Sequence, residues 1–160
     1  MVQPVRHAGG RPRPPAAPGH EGLRLDEREA RRRFQAARVA RLATVRPDGG
    51  PHLVPIAFAV DRDTVVSVVD AKPKRSAALQ RLANVRHERR VSLLVDRYED
   101  DWRRLWWVRA DGVAEVVASG PDHARAVDLL SAKYARYRRE RPTGPVLRVG
   151  VLTWRWWSFA

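Results

Sequence analysis

Four consecutive residues, Lys72, Pro73, Lys74 and Arg75, stand between a strand-like segment ending near Asp70 and a helical one starting near Ser76. A strand-to-helix junction favours an anion, because the free N–H groups of the first helical turn and the helix dipole both attract negative charge. Residues 72–90 carry seven cationic side chains (Lys72, Lys74, Arg75, Arg81, Arg86, Arg89 and Arg90) against one carboxylate, Glu88. The run reads as a phosphate site, and it reads equally as a solvated basic loop and helix face. Two aromatic groups also carry recognition chemistry: Trp102, Trp106 and Trp107, and Trp154, Trp156 and Trp157. Strand alternation puts Trp106 and Trp107 on opposite faces. One ring enters the core, and the other needs cover from a subunit, a helix or a stacked cofactor ring.

Other chemistries lack their residues. None of His7, His20, His52, His87 and His123 has a partner at a recognised metal-ligand spacing, so no metal is expected. The chain has no cysteine, hence no disulfide, thiolate ligand or thiol nucleophile. Hydrolase elbows, P-loops and dinucleotide glycine motifs are missing as well. The net charge of +13 raises the possibility of polyanionic partners, yet no helix-turn-helix, zinc-finger or RNP-type motif accompanies it, so no specific nucleic-acid partner is expected. Lys72, Lys74 and Lys133 are the only lysines among 31 basic residues, and an arginine skew of this kind also follows from a GC-rich genome.

The elements that position these residues follow from periodicity. Residues 1–22 hold five of the twelve prolines and four of the ten glycines and show no apolar period, which predicts a disordered tail ahead of one domain over 23–160. Asp26 with Glu29 opens a helix to about Ala37, with Ala30, Phe34 and Ala37 on its apolar face. Strands follow at 39–45, 52–60 and 64–70, joined by hairpins, and Pro55 makes the second an edge or a bulge. A helix over 76–88 crosses to a strand at 90–98. Residues 103–117 are strand-like, broken at Asp111–Gly112 by a turn or a bulge. A long helix over 121–139 and a final strand from about Val146 complete the chain. Six or seven strands and three helices predict a mainly β fold, a small barrel with helices outside. With no secretory signal and no apolar run of the roughly 20 residues that span a membrane, a cytoplasmic protein with no membrane partner is expected.

Together, RLATVRPDGGPHLVPIAFAVD, DAKPKR, the helix containing RLAN, RVSLLVDRYEDDW and WWVRADGVAEV resemble the pyridoxamine-phosphate-oxidase-like, F420-dependent oxidoreductases of actinobacteria, from about residue 25 to the end. The resemblance implies a split β-barrel homodimer with the cofactor in a groove between subunits. It matches Lys72, Lys74 and Arg75 to the family's anion-binding segment, with Arg81 as a further candidate. The backbone of Val54, Pro55 and Ile56 would lie along the cofactor ring, with Thr44 and Trp102 as wall residues. The implied activity is hydride transfer between reduced coenzyme F420 and an unsaturated small molecule. FMN is the alternative cofactor, and a non-catalytic flavin or F420 carrier the alternative role. No catalytic side chain is expected, because hydride transfer belongs to the cofactor.

Overall fold

Asp26 starts the first helix: its Oδ1 accepts the Glu29 amide at 2.7 Å, and α1 (Glu27–Ala36) buries Ala30 and Phe34 as their spacing predicts. The computed structural model of the chain describes residues 25–69 and 77–159. The tail read over 1–22 and the cations Lys72, Lys74 and Arg75 lie outside the described residues. Phe34 is fully buried and meets Phe58 and Trp154 edge-on, each with ring centroids 5.1 Å apart. That geometry suits the aromatic quadrupole and adds to the burial of a large apolar surface.

The strands are β1 (Ala40–Val45), β2 (Pro51–Ile56), β3 (Ala59–Asp61), β4 (Thr64–Val68), β5 (Arg90–Arg97), β6 (Trp106–Val117) and β7 (Val146–Ser158). They form one sheet in the order β2-β1-β5-β6-β7-β4-β3, every neighbouring pair antiparallel. The two edge strands, β2 and β3, are separated in the chain by Ala57 and Phe58 alone. A sheet whose edges are joined by two residues must curl until those edges meet at that corner, and it opens away from it. The result is a split β-barrel, as the family resemblance implies. Leu42, Leu93, Val108 and Ala110 fill its interior, and α1 with α2 (Ala77–His87) packs there. A second apolar cluster forms where α3 (Pro121–Lys133) lays Ala126, Val127 and Leu130 against Ala59, Val66 and Val146.

Two elements differ from the periodicity reading, and one tyrosine accounts for both. The strand expected over 52–60 breaks after Ile56, and the helix expected over 121–139 breaks at Tyr134 (φ −117°, ψ 118°), leaving α4 (Ala135–Arg139). The Tyr134 hydroxyl accepts the Phe58 amide at 3.0 Å and lies 2.8 Å from the Phe58 carbonyl oxygen and 2.9 Å from that of Arg38. Accepting that amide and donating its one proton to these carbonyls, the hydroxyl satisfies backbone groups at the barrel corner that would otherwise go unpaired.

At Asp111–Gly112 the structure has a bulge: β6 runs through, and its register against β7 shifts between these residues. A Cβ at Gly112 would sit 2.3 Å from the Gly150 carbonyl oxygen, so only glycine permits this approach. Gly112→Ala is expected to destabilise the protein by ~1–3 kcal/mol through forced separation of β6 and β7. Gly150→Ala, whose Cβ would meet nothing closer than 4.0 Å, is expected to leave thermal unfolding nearly unchanged. Equal melting shifts for the two would show that the close approach does not constrain this strand pair. Among the described residues, no helix is long and apolar enough to cross a membrane.

Candidate functional site

The free edge of β2 is a backbone surface. Pro51 and Pro55 lack N–H groups, so they fit the ladder with β1 only if their phase points its nitrogens away from β1. Leu53 shares that phase, and its amide is then the single N–H donor on the outer edge between the two prolines. Of the residues expected along a cofactor ring, Ile56 is buried, Val54 is half-buried against the core, and Pro55 is exposed. Their side chains therefore leave the recognition of a planar ring to the edge backbone.

Behind this edge runs a chain of polar side chains. Gln80 Nε2 donates to Asn84 Oδ1 at 2.7 Å, and Asn84 Nδ2 donates to Thr44 Oγ1 at 2.9 Å. Thr44 Oγ1 in turn lies 3.3 Å from His52 Nδ1, opposite it in the β1–β2 register. Asn84 and Thr44 are buried, so these bonds satisfy groups that water cannot reach. The chain ties α2 to β2 across the open side of the barrel. Burial, with the charges of Arg46 and Arg81 nearby, holds the His52 imidazole below its ordinary pKa, so the ring is neutral near pH 7.

Arg81 lies one residue along α2 from Gln80. Its Nε is buried with no hydrogen-bond partner among the described residues, and burial lowers its pKa. Such a desolvated guanidinium nitrogen is costly unless an anion meets it. Arg81 interacts electrostatically with His52 of β2 and Tyr137 of α4. The residues before α2 include Lys72, Lys74 and Arg75.

On the opposite, outer face of the sheet lies a trough. One part, about 680 Å³, is lined by Ala43, Ser92, Arg109, Gly112 and Leu152, among others. The other, about 490 Å³, has Ala43, Leu53, Ser92, Leu94, Trp107 and Arg109 among its walls. Shared residues make the two continuous. Ser92 Oγ donates to Asp111 Oδ1 at 2.6 Å, Arg109 Nε donates to Asp111 Oδ2 at 3.0 Å, and Arg41 pairs with Asp96 at 2.6 Å. Large apolar groups flank these pairs: Leu53 is 66% exposed and Leu152 76%. Trp107 lies opposite Trp157 in the β6–β7 register, on this outer face, whereas Trp106 packs against the core.

Val54, Pro55 and Ile56 thus share β2, Thr44 lies on the neighbouring β1 opposite His52, and Arg81 of α2 acts electrostatically on His52. Thr44 stands inside the barrel, its hydroxyl engaged by Asn84. Trp102 sits on a single 3-10 turn (Trp102–Arg104) between β5 and β6, edge-on to Phe159, and lines neither part of the trough. Sequence reasoning missed His52, Gln80 and Asn84. The available signal was Gln80 and Asn84 at i, i+4 beside the apolar Leu82 and Val85, where a polar residue on a buried helix face needs a partner. Among the described residues, no group of three or more histidines and carboxylates is placed to hold a metal.

A family model described as pyridoxamine 5'-phosphate oxidase matches residues 26–159. Among solved structures, a conserved hypothetical protein from Mycobacterium tuberculosis superposes with a TM-score of 0.67 at 25% identity, over 83% of this chain and 84% of that one. A FAD-binding protein from Mesorhizobium loti gives 0.64 at 21% identity, over 83% and 94%. The heme storage protein HutZ from Vibrio cholerae gives 0.65 at 15% identity, over 85% and 95%. No curated protein matches the sequence.

Proposed function

Because the chain belongs to the pyridoxamine 5'-phosphate oxidase family, we propose that it is an oxidoreductase that binds coenzyme F420 and passes hydride between the reduced cofactor and an unsaturated small molecule. The observation that carries this reading is the Nε of Arg81, buried with no hydrogen-bond partner among the described residues, on a side chain that acts electrostatically on His52 of β2. A phosphate-bearing cofactor with a planar, amide-edged ring suits both that nitrogen and the free edge of β2, since a guanidinium fork binds phosphate and an unpaired strand edge offers fixed donors and acceptors. The cofactor supplies the hydride chemistry, and the protein supplies position, electrostatics and exclusion of water.

In this reading Lys72, Lys74 and Arg75 join Arg81 in holding the anionic tail, and a tail with a phosphate and several carboxylates uses all four cations. Val54, Pro55 and Ile56 present the edge backbone to the ring, and the Gln80–Asn84–Thr44–His52 chain fixes that edge relative to α2. The neutral His52 adds no charge to the ring's surroundings. FMN is the second reading, because the FAD-binding relative shares the fold and a shorter tail needs fewer cations.

A second copy of the chain covers the outer trough in this account. Leu53, Leu152 and Trp157 are too exposed for an unpartnered face, and the aligned pairs Arg41–Asp96 and Arg109–Asp111 provide polar register. Enzyme and carrier separate in one assay, the loss of reduced-F420 absorbance with a panel of conjugated enones and quinones. Substrate-dependent oxidation above the protein-free rate is the expected result. Tight binding without turnover across the panel would assign the carrier role instead.

A further inference from the structure

Five arginines converge under α1, on the side of the sheet away from the trough. Arg32 and Arg33 of α1, Arg97 at the end of β5, and Arg103 and Arg104 of the 3-10 turn line a recess of about 440 Å³ floored by Leu105 and Trp106. Trp106 and Trp107 point to opposite faces of β6, so this recess and the trough are separated by the sheet itself. Arg81 of α2 is not among the residues lining the recess.

The recess has more donors than acceptors. Glu29 engages Arg32 and Arg33, Glu99 engages Arg97 and Arg104, and Asp101 engages Arg103. Three carboxylates thus pair with five guanidinium groups, each with five N–H donors. Arg33 lies over the Trp106 ring with its guanidinium carbon 5.3 Å from the centroid. Its Nε donates to Glu29 Oε1 at 2.8 Å, and the terminal N–H groups of a guanidinium held over a ring can still meet an anion with little loss of entropy. The Arg97, Arg103 and Arg104 pairs are formed by residues at most five positions apart in the chain, and Glu99 Oε1, which pairs with Arg104, is buried. The exposed Arg103–Asp101 pair contributes little, so an anion with several charges displaces it at small cost.

We infer that this recess is a second anion site that takes a compact polyanion, a small molecule or chain terminus bearing several phosphate or carboxylate groups, independently of the cofactor. One carboxylate or phosphate would sit on the edge of Arg33 over Trp106, with further charges meeting Arg97, Arg103 and Arg104. Five cations from three separated segments suit a ligand whose charges lie a few bonds apart better than a single inorganic anion.

The test is calorimetric titration of the full chain with tripolyphosphate and with tri-γ-glutamate, in the wild type, in Arg97→Gln/Arg103→Gln/Arg104→Gln, and in Lys72→Ala/Lys74→Ala/Arg75→Ala. Saturable binding of either ligand that persists in the second variant and is weakened about tenfold or more in the first is the expected result. The tighter ligand tells phosphate from carboxylate. Should the triple variant lose its melting transition, Arg33→Lys carries the same expectation, since it keeps the charge and removes the fork. Binding that never saturates, that survives the recess variants, or that is lost in the 72–75 variant would overturn the inference. The last result would place the anion at the cofactor's cations and leave the proposed function standing.

Discussion

Replacing Lys72, Lys74 and Arg75 together with alanine is expected to weaken F420 binding by about a hundredfold or more, each strong charge-assisted contact being worth ~1–3 kcal/mol. The fold should survive, because the three residues are charged and precede α2 in the chain. Arg81 makes the sharper variant. Its Nε is buried without a partner among the described residues, so in the free protein its removal costs no hydrogen bond to them at that nitrogen, whereas in the complex it removes a contact. Arg81→Met is therefore expected to lower affinity by about tenfold while the free protein melts at the same temperature or higher. A purely structural arginine would behave in the opposite way, with a lower melting temperature and unchanged affinity. Unaltered binding in both variants would remove the anion site from the account.

Phe34→Ala is expected to cost ~3–5 kcal/mol of folding stability, the range for deleting a fully buried phenylalanine. The upper half of that range applies because the ring is wedged between Phe58 and Trp154, and both belong to structure that cannot collapse easily. Phe58 lies at the barrel corner pinned by Tyr134, and the Trp154 indole N–H donates to Asp63 Oδ1 at 3.1 Å. Asp63 also pairs with Arg31 of α1, so the ring, the helix and the β3–β4 turn hold one another. Chemical denaturation with the change in midpoint read at constant slope measures the cost. A loss below ~1 kcal/mol would show that the helix does not depend on this aromatic seat.

Much of this architecture is legible in the sequence, and the parts that are not share a cause. Asp26 with Glu29 marks the start of α1, Pro55 marks an edge strand, and the two-residue alternation separates Trp106 from Trp107, because caps, prolines and strand period act within a few residues. Tyr134 is different. Its hydroxyl breaks one strand and one helix through contacts 76 and 96 residues away, and no local pattern carries that information. The Asp111–Gly112 ambiguity between turn and bulge is likewise settled at a distance, by Gly150 of β7. At the candidate site the cations were visible as a run, whereas His52, Asn84 and Gln80 were not, since each is ordinary until β1, β2 and α2 meet. The family resemblance supplied the cofactor ring and its strand, and the residues themselves supplied only an anion.

The most direct test of the central claim is an equilibrium titration of the purified, cofactor-free protein with F420, FMN and hemin at physiological salt, read by fluorescence or calorimetry. The account predicts saturable F420 binding, tighter than FMN, lost together with the Lys72, Lys74 and Arg75 cations. Tighter FMN binding would contradict the choice of F420 and keep the flavin site. Binding of neither, or of hemin alone, would contradict the claim that the edge of β2 and the α2 cations hold a flavin-type cofactor.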